Sequence, residues 1–134
     1  MSEIAGVRIL GTGRPATRDN GRMLGPAQTP APPYFAVIFT SVRNDQPGDG
    51  FAEADRQLFE LAQTQPGFLG YESAGEDGLG ITVSYWESEA AIAAWKAVAD
   101  HRAAQEEGRA TWFDAYDVRV AHVERAYSFT RDDA

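Results

Sequence analysis

From Tyr34 onward the apolar and polar positions of this chain fall into runs with two distinct periods. Tyr34 to Val42 is β-branched and aromatic, with Pro33 before it and Asn44-Asp45-Gln46-Pro47-Gly48 after it, which predicts a first strand followed by a loop. Phe51, Ala54, Asp55, Leu58, Leu61 and Ala62 then recur at helical spacing and form one stripe with Asp55 at its edge; Pro66-Gly67 ends that helix. Phe68 to Ala74 reads as a second strand, and Glu76-Asp77-Gly78 as a hairpin turn, because Asp-Gly tolerates the positive φ that tight turns require. Leu79 to Trp86 is the third strand, with Ile81, Val83 and Tyr85 on one face and Thr82, Ser84 and Trp86 on the other. Ser88 is placed to cap a second helix over Ala90 to Val98, with Glu89 favourable to its dipole and Ile92 and Trp95 on the inner stripe. A further helical piece is predicted from Asp100 to Gly108. Trp112-Phe113 then leads into a long last strand, Tyr116 to Phe129, and a polar tail, residues 130–134. That strand sets Tyr116, Val118, Val120 and His122 on one face against Arg119, Ala121, Val123 and Arg125 on the other.

The order β–α–β–β–α–β predicts an α+β, ferredoxin-like fold: a four-stranded antiparallel sheet with both helices on one face. The other face stays bare, and its apolar residues ask for a second layer. Two copies packed sheet to sheet would bury it, and a last strand crossing to the partner would close the edges, so a homodimer in the form of a dimeric α+β barrel is expected.

Residues 1–33 break the pattern. Gly11-Thr12-Gly13-Arg14-Pro15 and the Pro-rich run from Gly25 to Pro33 sustain neither helix nor central strand, leaving an extended arm with a short edge strand at Val7-Arg8-Ile9-Leu10. The arm carries four arginines against Glu3 and Asp19, a net +2; the remaining 8 basic and 18 acidic residues give −10, for a chain total of −8. The arm is thus free to pair with an acidic domain or to remain a solvated tail. The acidic domain repels phosphate backbones, which argues against a nucleic-acid partner. No apolar run reaches the roughly 20 residues that span a bilayer, and Met1 to Leu10 does not resemble a signal peptide. With no Cys in the chain, thiolate chemistry and disulfides are excluded, and a cytoplasmic location fits.

Candidate chemistry gathers between strand three and the last strand. His101 is a candidate general base, since histidine titrates near neutrality; equally, it could simply hydrogen-bond a nearby carboxylate. Trp95 and Trp112 offer flat faces to a planar ligand or serve as core. Tyr71 and Tyr116 could hydrogen-bond a phenol or quinone oxygen or only pack the sheet, and Arg102 and Arg109 could hold a ligand carboxylate or pair with Glu106 or Glu107. His122, alternating with Val118 and Val120, reads as a core or interface histidine. Two histidines and scattered carboxylates make no metal-ligand cluster, and no nucleophilic triad or phosphate loop is evident.

Within that order, Ser84-Tyr85-Trp86-Glu87-Ser88-Glu89 before an Ala-rich helix with Trp95, the link Pro66-Gly67-Phe68-Leu69-Gly70-Tyr71, and His101-Arg102-Ala103-Ala104-Gln105 resemble the antibiotic biosynthesis monooxygenase family over roughly residues 34–129, in particular a subgroup called monooxygenases on family grounds alone. The resemblance implies a homodimer with a pocket between sheet and helices in each subunit. It also implies cofactor-independent oxygenation of a small aromatic or polyketide-like ligand, with His101 as base and Trp95, Trp112, Tyr71, Tyr116, Arg102 and Gln105 around the substrate. A haem-degrading branch of the family uses an Asn on strand one, a Trp on helix two and a later His. Here Trp95 matches, Gln105 stands where the His would fall, and strand one has no Asn. His101, one turn earlier, keeps haem open as an alternative, and a ligand-binding dimer without catalysis is the other.

Overall fold

The computed structural model describes residues 25–44, 46–105 and 112–131, together with four two-residue strands nearer the N-terminus. The domain runs β1 (Tyr34–Arg43), α1 (Phe51–Ala62), β2 (Phe68–Glu76), β3 (Leu79–Trp86), α2 (Glu89–Ala104) and β4 (Phe113–Val123). The strands form one sheet in the order β2-β3-β1-β4 with every pairing antiparallel, the ferredoxin-like arrangement. In the arm, Glu3–Ile4 pairs with Val7–Arg8, and Arg18–Asp19 with Arg22–Met23. Val7–Arg8 is thus strand, while Ile9 and Leu10 lie outside the described residues.

Local chemistry accounts for the element ends. Asp77 and Gly78 both take positive φ, so β2 and β3 turn back on each other at the Asp-Gly pair. Ser88 Oγ accepts the Ala91 N–H at 3.0 Å and caps α2. Gly67 combines φ +85° with a close approach to α2: a Cβ there would sit 2.7 Å from Cβ of Ala91. That contact and the Glu87 N–H donating to the Gly67 carbonyl at 2.8 Å join the start of β2 to the start of α2.

Two boundaries differ from the sequence expectation. α2 is one continuous helix through Asp100, where a break was expected; Lys96 and Asp100 pair across that point at 2.6 Å, and residues 106–110, including Gly108, lie outside the described residues. The last strand begins earlier and stops earlier than Tyr116 to Phe129. Its one neighbour is β1, whose first residue, Tyr34, pairs with Val123, so beyond Val123 there is nothing to pair with. Pro33, next in line on that neighbour, has no N–H to offer. At the other end a bulge lets Arg43 pair with Phe113 and extends the strand backward.

The sheet face carrying Trp86 and Tyr71 meets the helices. Trp86 is completely buried and stacks on Trp95 of α2 at 5.9 Å, while Tyr71 stacks on Phe59 of α1 at 4.7 Å. Tyr85, next along β3, points to the opposite face. There Tyr34 and Ala36 are buried, and the arm residues reach across: Ala27 N–H donates to Glu72 Oε2 at 2.8 Å, and Thr29 Oγ1 and Tyr34 Oη share a hydrogen bond at 2.9 Å. Farther along that face Val42, Leu79 and Ile81 stay exposed.

Candidate functional site

The strand register lines up a transverse aromatic row on the helix-bearing face. Phe68 of β2 is opposite Trp86 of β3, Trp86 opposite Phe35 of β1, and Phe35 opposite His122 of β4. The rings touch in sequence: Phe68 and Trp86 meet edge to face at 5.4 Å, and Phe35 and His122 lie 4.9 Å apart with a tilt of 32°. Burial falls along the row, from 0% exposure at Trp86 under Trp95 to 46% for the His122 side chain. The same residues of β4 that share this face with His122 are open: Tyr116 at 53%, Val118 at 53% and Val120 at 50%. Helix α2 sits over β3, through the Trp95–Trp86 stack, and leaves the outer strand uncovered. The result is an apolar strip floored by β1 and β4. Phe39 stacks on Tyr116 at 5.3 Å at one end of it, and the Phe35–His122 pair stands at the other. Glu124 Oε1 lies 3.6 Å from Nδ1 of His122, beyond hydrogen-bond reach.

The residues proposed from sequence are distributed more widely than one pocket. His101 and Gln105 are exposed at the C-terminal end of α2, their Nε2 atoms 3.4 Å apart. Arg102, half-buried on the inner stripe of α2, donates to Gln57 of α1 at 2.5 Å; Glu106, Glu107 and Arg109 lie outside the described residues. Trp95 and Tyr71 are taken up in stacking with Trp86 and Phe59, and Tyr116 lies on the open strip. Trp112 belongs to a clasp. Its Nε1 donates to the Asp49 carbonyl at 2.9 Å, and its own carbonyl accepts from Arg43 Nη1 at 2.6 Å and from the Asn44 N–H at 2.7 Å. Arg43 lies 3.7 Å over the Phe51 ring and pairs with Asp49 at 3.0 Å. Asp49 Oδ1 accepts the Phe51 N–H at 2.9 Å, capping α1 in place of Gly50; that bond first, and Arg43 second, hold the Asp49 carboxyl below the usual range. An open cleft of about 610 Å³ lies beside the clasp, lined by Arg43, Gln46, Asp49, Phe51 and Glu53 among others. A second, of about 310 Å³, lies between Pro66-Gly67 and Ala91, Ala94 and Trp95 of α2. Neither contains His101, Arg102 or Gln105.

On the opposite face burial, and then the hydrogen bond from Tyr85 to Glu72, push the Tyr85 phenol well above its ordinary value. Among the described residues no group of three or more His, Asp or Glu is gathered to hold a metal ion, and no helix is long and apolar enough to cross a membrane.

Comparison with known proteins gives this architecture a family. Residues 33–107, more than half the chain, match the profile of the antibiotic biosynthesis monooxygenase family, and the chain belongs to that family. It is 50% identical over 104 residues to the uncharacterized protein YqjZ of Bacillus subtilis, covering 77% of this chain and 90% of that protein. Jasmonate monooxygenase ABM of Pyricularia oryzae is 29% identical over 92 residues, 66% of this chain; the match spans only 43% of that enzyme's length. Among solved structures, SnoaB of Streptomyces nogalater, a cofactor-independent oxygenase, aligns with a TM-score of 0.59 at 12% identity over 71% of this chain and 97% of its own. PA3566 of Pseudomonas aeruginosa aligns at 0.53 and 18% identity, over 72% and 98% respectively. At such identities these two are similar in fold alone.

Proposed function

We propose that this chain is a monooxygenase that oxygenates a small electron-rich aromatic or polyketide-like substrate with O₂ directly, without a cofactor, on the helix-bearing face of its sheet. The observation that carries this reading is the open apolar strip of Tyr116, Val118 and Val120 beside α2, with a histidine at its end. A planar substrate there would lie on an aromatic and β-branched floor that takes one of its faces out of water. The chemistry asks little more of the protein. A base takes a proton from an activated CH₂ or its phenol tautomer, and the resulting carbanion reduces O₂ to a hydroperoxide. Loss of water from that hydroperoxide leaves a C=O, so CH₂ and O₂ become C=O and H₂O. Jasmonate monooxygenase ABM, a relative by sequence, supports the reaction type, and SnoaB, a cofactor-independent oxygenase, shares the fold. The apolar residues Val42, Leu79 and Ile81 on the opposite face support a homodimer packed through that face.

The residues do not fit the haem-degrading arrangement. Gln105 is a poor axial ligand, strand β1 carries no Asn, and Trp95 already stacks on Trp86. His101 is exposed beside Gln105.

The test is oxygen uptake by the purified chain with a panel of hydroxynaphthalenes and anthrones, with product mass determined. Uptake faster than the protein-free rate, and a product that has gained one oxygen and lost two hydrogens, is expected. Saturable binding without uptake across the panel would make the protein a ligand-binding dimer instead.

A further inference from the structure

We propose that His122, at the open end of the transverse aromatic row, contacts the aromatic ligand and is the group that accepts its proton. This rests on the oxygenase reading for the proton transfer, and on geometry for the contact. Four observations converge on this side chain. It lies on the helix-bearing face, in register with Phe35 and through it with Trp86, so it shares a surface with the helix that carries Trp95. It ends the strip of Tyr116, Val118 and Val120, the exposed apolar surface on that face. Its ring is backed by Phe35, which limits how it can turn. Glu124 Oε1 stands 3.6 Å from Nδ1 and not at Nε2, the atom offered to the ligand. His101 has none of these: it stands exposed on the last turns of α2, with Gln105 as its neighbour.

A planar phenol resting on Val118, Val120 and Phe35 would turn its hydroxyl edge toward His122. Nε2 takes the phenol proton and ring carbon attacks O₂. The imidazolium returns that proton to the peroxide, and Nε2 next takes the remaining proton on the oxygenated carbon. Hydroxide leaves as the C=O forms and receives this second proton, departing as water. Histidine therefore ends neutral, the carbon is oxidised, and both oxygen atoms are reduced.

The chain contains two histidines, which makes the test direct. The full chain, labelled in its imidazole carbons, is titrated with 1-naphthol and followed by proton–carbon correlation, with His101→Asn and His122→Gln variants assigning the two signals. The His122 signal is expected to shift saturably and the His101 signal to stay in place. A shift confined to His101, or no shift in either, overturns the proposal. In oxygen uptake, His122→Gln keeps a hydrogen-bonding side chain but cannot hold the proton, so a loss on the order of 10²-fold in kcat/KM is expected for a general base. Undiminished uptake by that variant overturns His122 and leaves the oxygenase standing. A saturable His122 shift with no uptake by any compound of the panel upholds the contact and removes the oxygenase instead.

Discussion

The two halves of the helix-bearing face are made of similar residues and end in different states. Over β2 and β3, Phe68, Tyr71 and Trp86 are sealed by Phe59 and Trp95 from the helices. Over β1 and β4, Phe39, Tyr116, Val118 and Val120 continue the same surface and remain open on the outer strand. Nothing in the alternation of either pair of strands separates them. What separates them is where a helix lies, and helix position is set by two connections: the clasp at Arg43, Asp49 and Trp112, and the Gly67–Ala91 contact. An aromatic residue is core or site according to what is above it.

The sharpest way to break this comparison is to remove a large side chain from each half. Trp86→Ala leaves a cavity under Trp95 and is expected to cost about 3–5 kcal/mol in urea unfolding. If Val118→Ala costs as much, the outer strand is covered after all, and the open half is an interface. The clasp comes next. Trp112→Phe keeps the ring but leaves the Asp49 carbonyl without its indole donor, an expected loss of about 1–3 kcal/mol by the same measurement. An unchanged midpoint would mean that the clasp does not fix α1.

A smaller effect concerns the opposite face. Because the folded state raises the Tyr85 pKa, the proton it retains stabilises the fold in full below the ordinary phenol pKa of about 10. That contribution is lost as pH climbs above this value toward the folded one. Melting temperature is therefore expected to fall more steeply between neutral and alkaline pH in the wild type than in Tyr85→Phe, and parallel curves would refute the linkage. The smallest stability effect belongs to the open strip itself. Val118→Thr is expected to stay within about 0.5 kcal/mol of the parent in unfolding while weakening 1-naphthol binding severalfold. Unaltered affinity would place the ligand elsewhere.

Much of the fold can be read from sequence because its signals are local. The stripe from Phe51 to Ala62, the Asp77-Gly78 turn and the Ser88 cap each depend on residues within a few positions of one another, and each appears where the pattern places it. The antibiotic biosynthesis monooxygenase family was legible in the Tyr85-Trp86 run and the Ala-rich helix after it. The ends of α2 and β4 were not. A helix passing through Asp100 draws on an ion pair with Lys96, and a strand's end depends on its neighbour: Val123 is last because β1 starts at Tyr34.

The candidate site was less legible still. Clustering along the chain drew attention to His101, Arg102 and Gln105; the structure places these three at the end of α2, with Arg102 linked to α1. The reading of His122 as a core or interface residue rests on period two in one strand, which tells which side a residue faces and not what covers that side. That His122 stands beside Phe35 and Phe35 beside Trp86 was not legible, because register comes from pairing between distant strands.

The sequence by itself determined the element order, the hairpin, the caps and the family, since backbone preference and side-chain period act over a few residues. Only the tertiary structure decided which aromatics are buried, how far β4 runs and which histidine shares a surface with Trp86. Those outcomes depend on strand register and helix placement, set by contacts between residues far apart in the chain.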